Sequence, residues 1–101
     1  MNNRVDPQLE SLRIPPHSIE AEQSVLGGLL LDNAAYDRIA DFVSADDFYR
    51  FDHRLIFQHI VRLVGAAKPA DVITVFESLN SAGKAEEVGG LSYLNALAQN
   101  T

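Results

Sequence analysis

An all-α fold, a compact bundle of five main helices plus a short one, is what this sequence of 101 residues predicts. Three observations carry that reading. Apolar residues recur at i, i+3 and i+4 in successive stretches, the spacing that lines one face of a helix. Residues suited to capping a helix N-terminus stand just ahead of most of those stretches. Asp32-Asn33, Gly65, Gly83 and Gly89-Gly90 supply stops or breaks between them.

Residues 1–16 carry Pro7, Pro15 and Pro16 and no periodicity, and read as a flexible arm ending in a short extended stretch. The folded region then covers residues 17–101 as one domain. Ser18 caps the first helix, with Glu20 and Glu22 placed at its positive end. Ala21, Val25, Leu26, Leu29 and Leu30 form its apolar stripe. A second helix follows Asp32-Asn33, with Ala35, Ile39 and Phe42-Val43 inward. Ser44-Ala45-Asp46-Asp47 has capping-box spacing and opens a short turn carrying Phe48 and Tyr49. Asp52 is the expected cap of the third long helix, whose apolar face is Ile56, Phe57, Ile60, Leu63 and Val64. Arg54, Gln58 and Arg62, at i, i+4 and i+8, form its wet face. Residues 72–76, β-branched up to Val75 and closed by Phe76, are locally strand-like. Asp71 as cap, helical spacing through Leu79 and Gly83 as stop favour a helix there, since a lone strand has nothing to pair with. After Gly89-Gly90, the residues Leu91, Leu94, Leu97 and Ala98 form a last stripe with Tyr93 beside it.

Charge narrows the function. Fourteen acidic residues against eight basic ones give a net charge of −6, and the basic residues are scattered. Strong direct binding to nucleic acid needs a basic patch and is not expected. With no cysteine, disulfides and thiolate metal sites are excluded, which suits a reducing cytoplasm. No apolar run approaches the roughly 20 residues that cross a bilayer.

Catalytic signatures are missing. Gly27-Gly28 is followed by Leu29 without a nearby lysine, and Gly83-Lys84 lacks the upstream glycine, so no phosphate-cradling loop is present. His17, His53 and His59 do not have the spacing of a metal site and read as structural residues. Asp46, Asp47 and Asp52 lack the glycine and alternating ligands of a calcium loop. Capping explains Asp47 and Asp52, and a small carboxylate-based enzyme is the remote alternative. No catalytic, cofactor or metal residue is therefore assigned.

Four features suggest contacts with other polypeptides. Gly27-Gly28 inside a helix costs about 1 kcal/mol per glycine unless something packs close. That neighbour is another helix of the same domain or a second subunit. Tyr93 combines a flat apolar ring with a hydroxyl, and is either a contact residue or a half-buried core tyrosine. Arg54 and Arg62 mark a solvated face or a weak docking surface.

Five segments stand in a telling order: residues 15–28 (PPHSIEAEQSVLGG), Asp46-Asp47-Phe48-Tyr49, His53-Arg54-Leu55-Ile56-Phe57, Asp71-Val72-Ile73-Thr74, and Gly89-Gly90-Leu91-Ser92-Tyr93-Leu94. In that order the chain, from about Arg13 to Thr101, closely resembles the N-terminal collar domain of DnaB-type bacterial replicative DNA helicases. The helicase-binding bundle of bacterial primases is an architectural alternative that the motif order disfavours. The resemblance implies a cytoplasmic, hexameric, ATP- and Mg2+-dependent helicase that unwinds DNA 5′ to 3′ at the replication fork. It implies a domain that joins subunits and receives primase, with a helicase loader as a further partner. It also implies that a helical hairpin and the ATPase domain lie beyond these residues, so that no catalysis is expected of this part. Tyr93, in the Gly-Gly-x-x-Tyr-Leu segment, is the expected primase-docking residue.

Overall fold

The structure, a computed structural model, describes residues 17–100, and the expected arm at 1–16 lies outside them. Among the described residues five α-helices follow one another: α1 (Ile19–Leu31), α2 (Ala35–Ile39), α3 (Phe51–Gly65), α4 (Val72–Ser81) and α5 (Gly90–Gln99). Two 3-10 turns, Ala45–Asp47 and Glu86–Val88, sit ahead of α3 and α5. Among the described residues there is no strand. The β-branched run at 72–76 is the first half of α4, where Asp71 accepts the Thr74 N–H at 2.9 Å and Thr74 returns the bond to the Asp71 N–H. That reciprocal cap and the burial of Val75 and Leu79 outweigh the local strand preference.

Ser18 caps α1 as expected, accepting the Ala21 N–H at 3.2 Å. Three boundaries differ from expectation. The second helix ends at Ile39 and continues to Val43 only as turns, with Phe42 and Val43 N–H both reaching the Ile39 carbonyl. The box at Ser44 and Asp47 forms, but its turn stops at Asp47; Phe48 and Tyr49 lie beyond it. Third, α3 begins at Phe51, with Arg50 in the cap position. Asp52 is inside the first turn, where its carboxylate holds the Arg50 guanidinium and accepts the His53 N–H at 2.8 Å. A carboxylate there complements the helix dipole without capping it.

Helices α1, α3, α4 and α5 pack around one core. Its centre is Leu26 and Leu29 from α1, Ile56 and Ile60 from α3, Val75 and Leu79 from α4, and Leu94 from α5. Each such side chain contributes about 1.5–3 kcal/mol by leaving water. Asn33 fixes the corner after α1: its amide donates to the carbonyls of Leu29 and Ala70, and its oxygen accepts the Ala70 N–H, each at 2.9 Å. The segment between α3 and α4 is thereby tied to the end of α1. α5 runs back along α1 and brings Tyr93 to the seam between them.

Candidate docking site

Glu22 is in the first turn of α1, where an acid normally faces water. Here it turns inward and is fully buried. Its carboxylate gathers three donors: the Tyr49 N–H at 2.5 Å, the Arg50 N–H at 3.4 Å and His53 Nδ1 at 2.7 Å. Two of these come from the loop before α3, so one buried charge fixes that loop's course. An unpaired charge at such a site would cost several kcal/mol. Among the described residues, no buried side-chain nitrogen or oxygen is left without a partner.

His53 stands on the first turn of α3 and is likewise fully buried. Its Nδ1 faces the Glu22 carboxylate, which assigns the proton to Nδ1 and leaves the Nε2 lone pair toward the Tyr93 hydroxyl, 2.6 Å away. The two rings lie nearly parallel, 8° apart with centroids at 5.9 Å, and the Phe48 ring meets His53 edge-on. The Gln23 side-chain amide donates to the Tyr93 oxygen at 3.2 Å. Arg50, paired with Asp52, lies over the Tyr93 ring with its guanidinium carbon 5.5 Å from the centroid. The hydrogen bond to Asp52 holds Arg50 even more firmly protonated than usual. Tyr93 is half-buried. It borders a groove of about 280 Å³ between α1 and α5, walled by Glu20, Gln23, Ser24, Ala96 and Asn100.

Gly89 completes the seat. Its φ of +88° is left-handed backbone, and a Cβ there would meet the Tyr93 Cβ at 2.9 Å. Gly65, Gly83 and Gly90 have no such neighbour within 4 Å. The expectation of a crowded backbone fails at Gly28, where a Cβ would meet nothing within 4 Å. Gly27 is buried in α1 and Gly28 half-buried, so close packing within the domain does not account for Gly28.

The other expected contact residues do not join Tyr93. Arg54 is no free cation: its guanidinium donates to the Phe48 carbonyl at 2.7 Å and braces the loop from behind. Arg62 is exposed and lines a separate groove of about 570 Å³ between the end of α3 and α4. His59, buried on α3, bonds Ser78 of α4 through Nδ1 at 2.7 Å, and burial together with nearby Arg62 lowers its pKa. His17 packs its ring on Tyr49, with centroids 4.3 Å apart. The three histidines thus have separate framework roles. Asp47 and Asp52 cap and pair as described, while Asp46 is exposed. Glu22 and His53 were not expected at the site. A lone glutamate in a first turn and a lone histidine on an apolar helix carry no sequence signal of their union.

Nucleotide and Mg2+ do not fit these residues. Gly27 and Gly28 are inside α1, and the backbone N–H groups of Gly83 and Lys84 are taken by the carbonyls of Asn80 and Leu79. Among the described residues no group of three or more His, Asp or Glu side chains could hold a metal ion. Nor, among them, is any helix long and apolar enough to cross a membrane.

Fold and site together define an all-helical domain whose buried charges hold its own loop and one half-buried aromatic ring. Residues 14–101 match the family model described as DnaB-like helicase N terminal domain, and the chain belongs to that family. It is 54% identical over 94 residues to the replicative DNA helicase DnaB of Buchnera aphidicola subsp. Acyrthosiphon pisum, covering 93% of this chain and 20% of the relative. Identity to the Haemophilus influenzae helicase of that name is 50% over 96 residues, covering 95% of this chain and 20% of the relative. The chain therefore spans about a fifth of the length of these curated relatives. Its fold matches the crystal structure of the N-terminal domain of DnaB helicase from Mycobacterium tuberculosis, with a TM-score of 0.82 and 38% identity. That match covers 86% of this chain and 60% of the solved one.

Proposed function

We propose that this chain is the assembly and primase-docking domain of a replicative DNA helicase, and that Tyr93 with the α1/α5 groove is where primase docks. The observation that carries the reading is the seating of Tyr93. Its hydroxyl has two partners, its stem sits on Gly89, and Arg50 covers its ring, yet the side chain remains partly open beside a groove. Rigid aromatic rings that keep one accessible edge make good anchors for a partner, because little side-chain entropy is lost on binding. The name shared by the relatives supports the helicase context. In that context other subunits of a hexamer and a loader are further partners. ATP with Mg2+ acts in the motor part of the parent protein, the process is fork unwinding in the bacterial cytoplasm, and this chain itself catalyses nothing.

Calorimetric titration of primase's helicase-binding domain into the wild-type chain and into Tyr93→Ala tests the docking claim. The expected result is a loss of about tenfold or more in affinity, the scale of a modest aromatic hot spot. Unchanged affinity in a folded variant rejects Tyr93 as the docking residue. ATPase activity from the purified chain rejects the non-catalytic assignment.

A further inference from the structure

We propose that Glu22 and His53 are positioning residues for Tyr93, and that the proton on His53 decides which way the Tyr93 hydroxyl directs its hydrogen. The inference rests on the reading of Tyr93 as the docking residue, and adds to it how that ring is set and changed from inside the domain.

A buried carboxylate–imidazole hydrogen bond is a poor device for stability alone, since well-packed apolar residues at such sites are commonly as good or better. What Glu22 and His53 provide is direction. The carboxylate fixes the imidazole through Nδ1, and the imidazole fixes the hydroxyl through Nε2, over sequence separations of 31 and 40 residues. Three helices meet in that chain: α1, α3 and α5. The two rings, 8° from parallel with centroids 5.9 Å apart, meet end to end through that hydrogen bond, so the place of the Tyr93 hydroxyl is set while His53 is held.

The hydrogen count distinguishes two states. With His53 neutral, Nδ1–H donates to Glu22, Nε2 accepts the Tyr93 hydroxyl hydrogen, and the Tyr93 oxygen accepts from Gln23. Every group is then satisfied, and the hydroxyl hydrogen points inward. When His53 is protonated, both nitrogens donate. The Tyr93 oxygen then accepts from Nε2–H, and its own hydrogen must turn away from His53. It turns toward Gln23, which must rotate its amide to offer oxygen, or into the α1/α5 groove, which Gln23 and Tyr93 both line. The docking surface thereby changes from offering an acceptor to offering a donor, with no movement of backbone.

The groups facing His53 are few. Glu22 faces it from α1, Asp52 accepts its backbone N–H at the start of α3, and Tyr93 faces it from α5, while Gln23 and Arg50 reach Tyr93 and Asp52 instead. Phe48 adds only a ring edge. Arg50 and Asp52 pair with each other, which leaves Glu22 as the charge in direct contact with the imidazole.

One experiment uses isotope-labelled tyrosine in the whole chain and needs no partner. The Tyr93 ring-carbon resonance next to the hydroxyl, assigned by its loss in Tyr93→Phe, is followed as the pH is lowered over the whole range in which the domain stays folded. It is expected to move in the wild type and to stay flat in a folded His53→Gln. A flat wild-type profile, or an unchanged profile in His53→Gln, overturns the proposal. The second readout is a double-mutant cycle on affinity for primase's helicase-binding domain. His53→Gln is expected to weaken binding roughly threefold to tenfold, the value of one hydrogen bond, and to have no effect in a Tyr93→Phe background. Additive losses overturn the positioning role. Where His53→Gln does not fold, Tyr93→Phe alone decides: it keeps the ring and should abolish the pH dependence of primase affinity, and persistence of that dependence overturns the proposal. Should Tyr93→Ala leave primase affinity untouched, the docking reading fails, while the resonance profile still decides the positioning claim.

Discussion

Two helix ends show how one residue decides local stability. After α3, the Lys68 N–H reaches the Leu63 carbonyl and the Ala67 N–H reaches Val64. After α4, the Lys84 N–H reaches Leu79 and the Gly83 N–H reaches Asn80. The two motifs are alike, and each needs left-handed backbone at its turning residue, φ +58° at Ala67 and +72° at Gly83. Glycine adopts that region freely and alanine does not. Ala67→Gly should therefore stabilise the domain by about 1 kcal/mol, and Gly83→Ala should destabilise it by a similar amount, both read from urea midpoints. Equal midpoints for wild type and Ala67→Gly would show that this end carries no strain. His59 gives a residue-level pH dependence. Its pKa is lowered by burial and by Arg62, so the unfolded chain takes up a proton before the folded one does. Stability is then unaffected well above pH 6.5, the ordinary histidine value, and falls as pH drops below it. In His59→Gln, which can still reach Ser78, the acid-side slope of stability should be shallower than in wild type. An unchanged slope would show that His59 protonates alike in both states.

Among the elements, the loop before α3 depends most on a single partner. Tyr49 and Phe51 hold large apolar side chains in water there, so apolar burial does not hold these two residues in place. The Glu22 carboxylate supplies the missing restraint through the Tyr49 and Arg50 N–H groups, and Arg54 supplies another through the Phe48 carbonyl. Glu22→Ala should cost about 3–5 kcal/mol, because it leaves two backbone donors and a buried imidazole without their acceptor. Arg54→Ala should cost less, about 1–2 kcal/mol, since it removes one hydrogen bond to a carbonyl. Thermal or urea unfolding of the two variants checks the ranking, and the reverse order would mean that the loop is held mainly from the Phe48 side. The short α2 follows the same logic. None of its residues is fully buried, and it is set in place by its neighbours. Asn33, just ahead of it, ties the end of α1 to Ala70.

At the scale of the whole molecule, what could be read in advance was what lies close in the chain. Ser18, Asp71, Gly83 and the stripe through Leu94 act within four residues of themselves, so spacing alone reveals the helices. The seat of Tyr93 joins positions 31 and 40 residues apart, and Glu22 in a first turn reads equally well as a dipole partner. Gly27-Gly28 looked crowded because helical glycine is costly; Gly28 has open space, and a close approach that needs glycine is found at Gly89, visible only once α5 is placed. Charge is a property of the whole chain, and it carries the last prediction. Eight basic residues face fourteen acidic ones, and several of the basic ones are engaged: Arg50 with Asp52, Lys84 with Glu87, Arg38 with Asp32, and Arg54 with a carbonyl. Exposed Arg62 and Lys68 lie together beside the α3–α4 groove, with Glu77 on its other wall. On a chain of net charge −6, a phosphate backbone at this groove would meet, among the described residues, two cations opposed by a carboxylate. Nonspecific binders with a real basic face reach dissociation constants of about 0.1 mM to 1 µM at physiological salt. Fluorescence anisotropy with labelled single-stranded DNA should therefore show no saturation up to about 0.1 mM chain, and lowering the salt should change little, because few counterions are displaced. Saturable binding that strengthens steeply as salt falls would mean that the scattered cations converge on DNA after all, and that a DNA-contacting role had been missed.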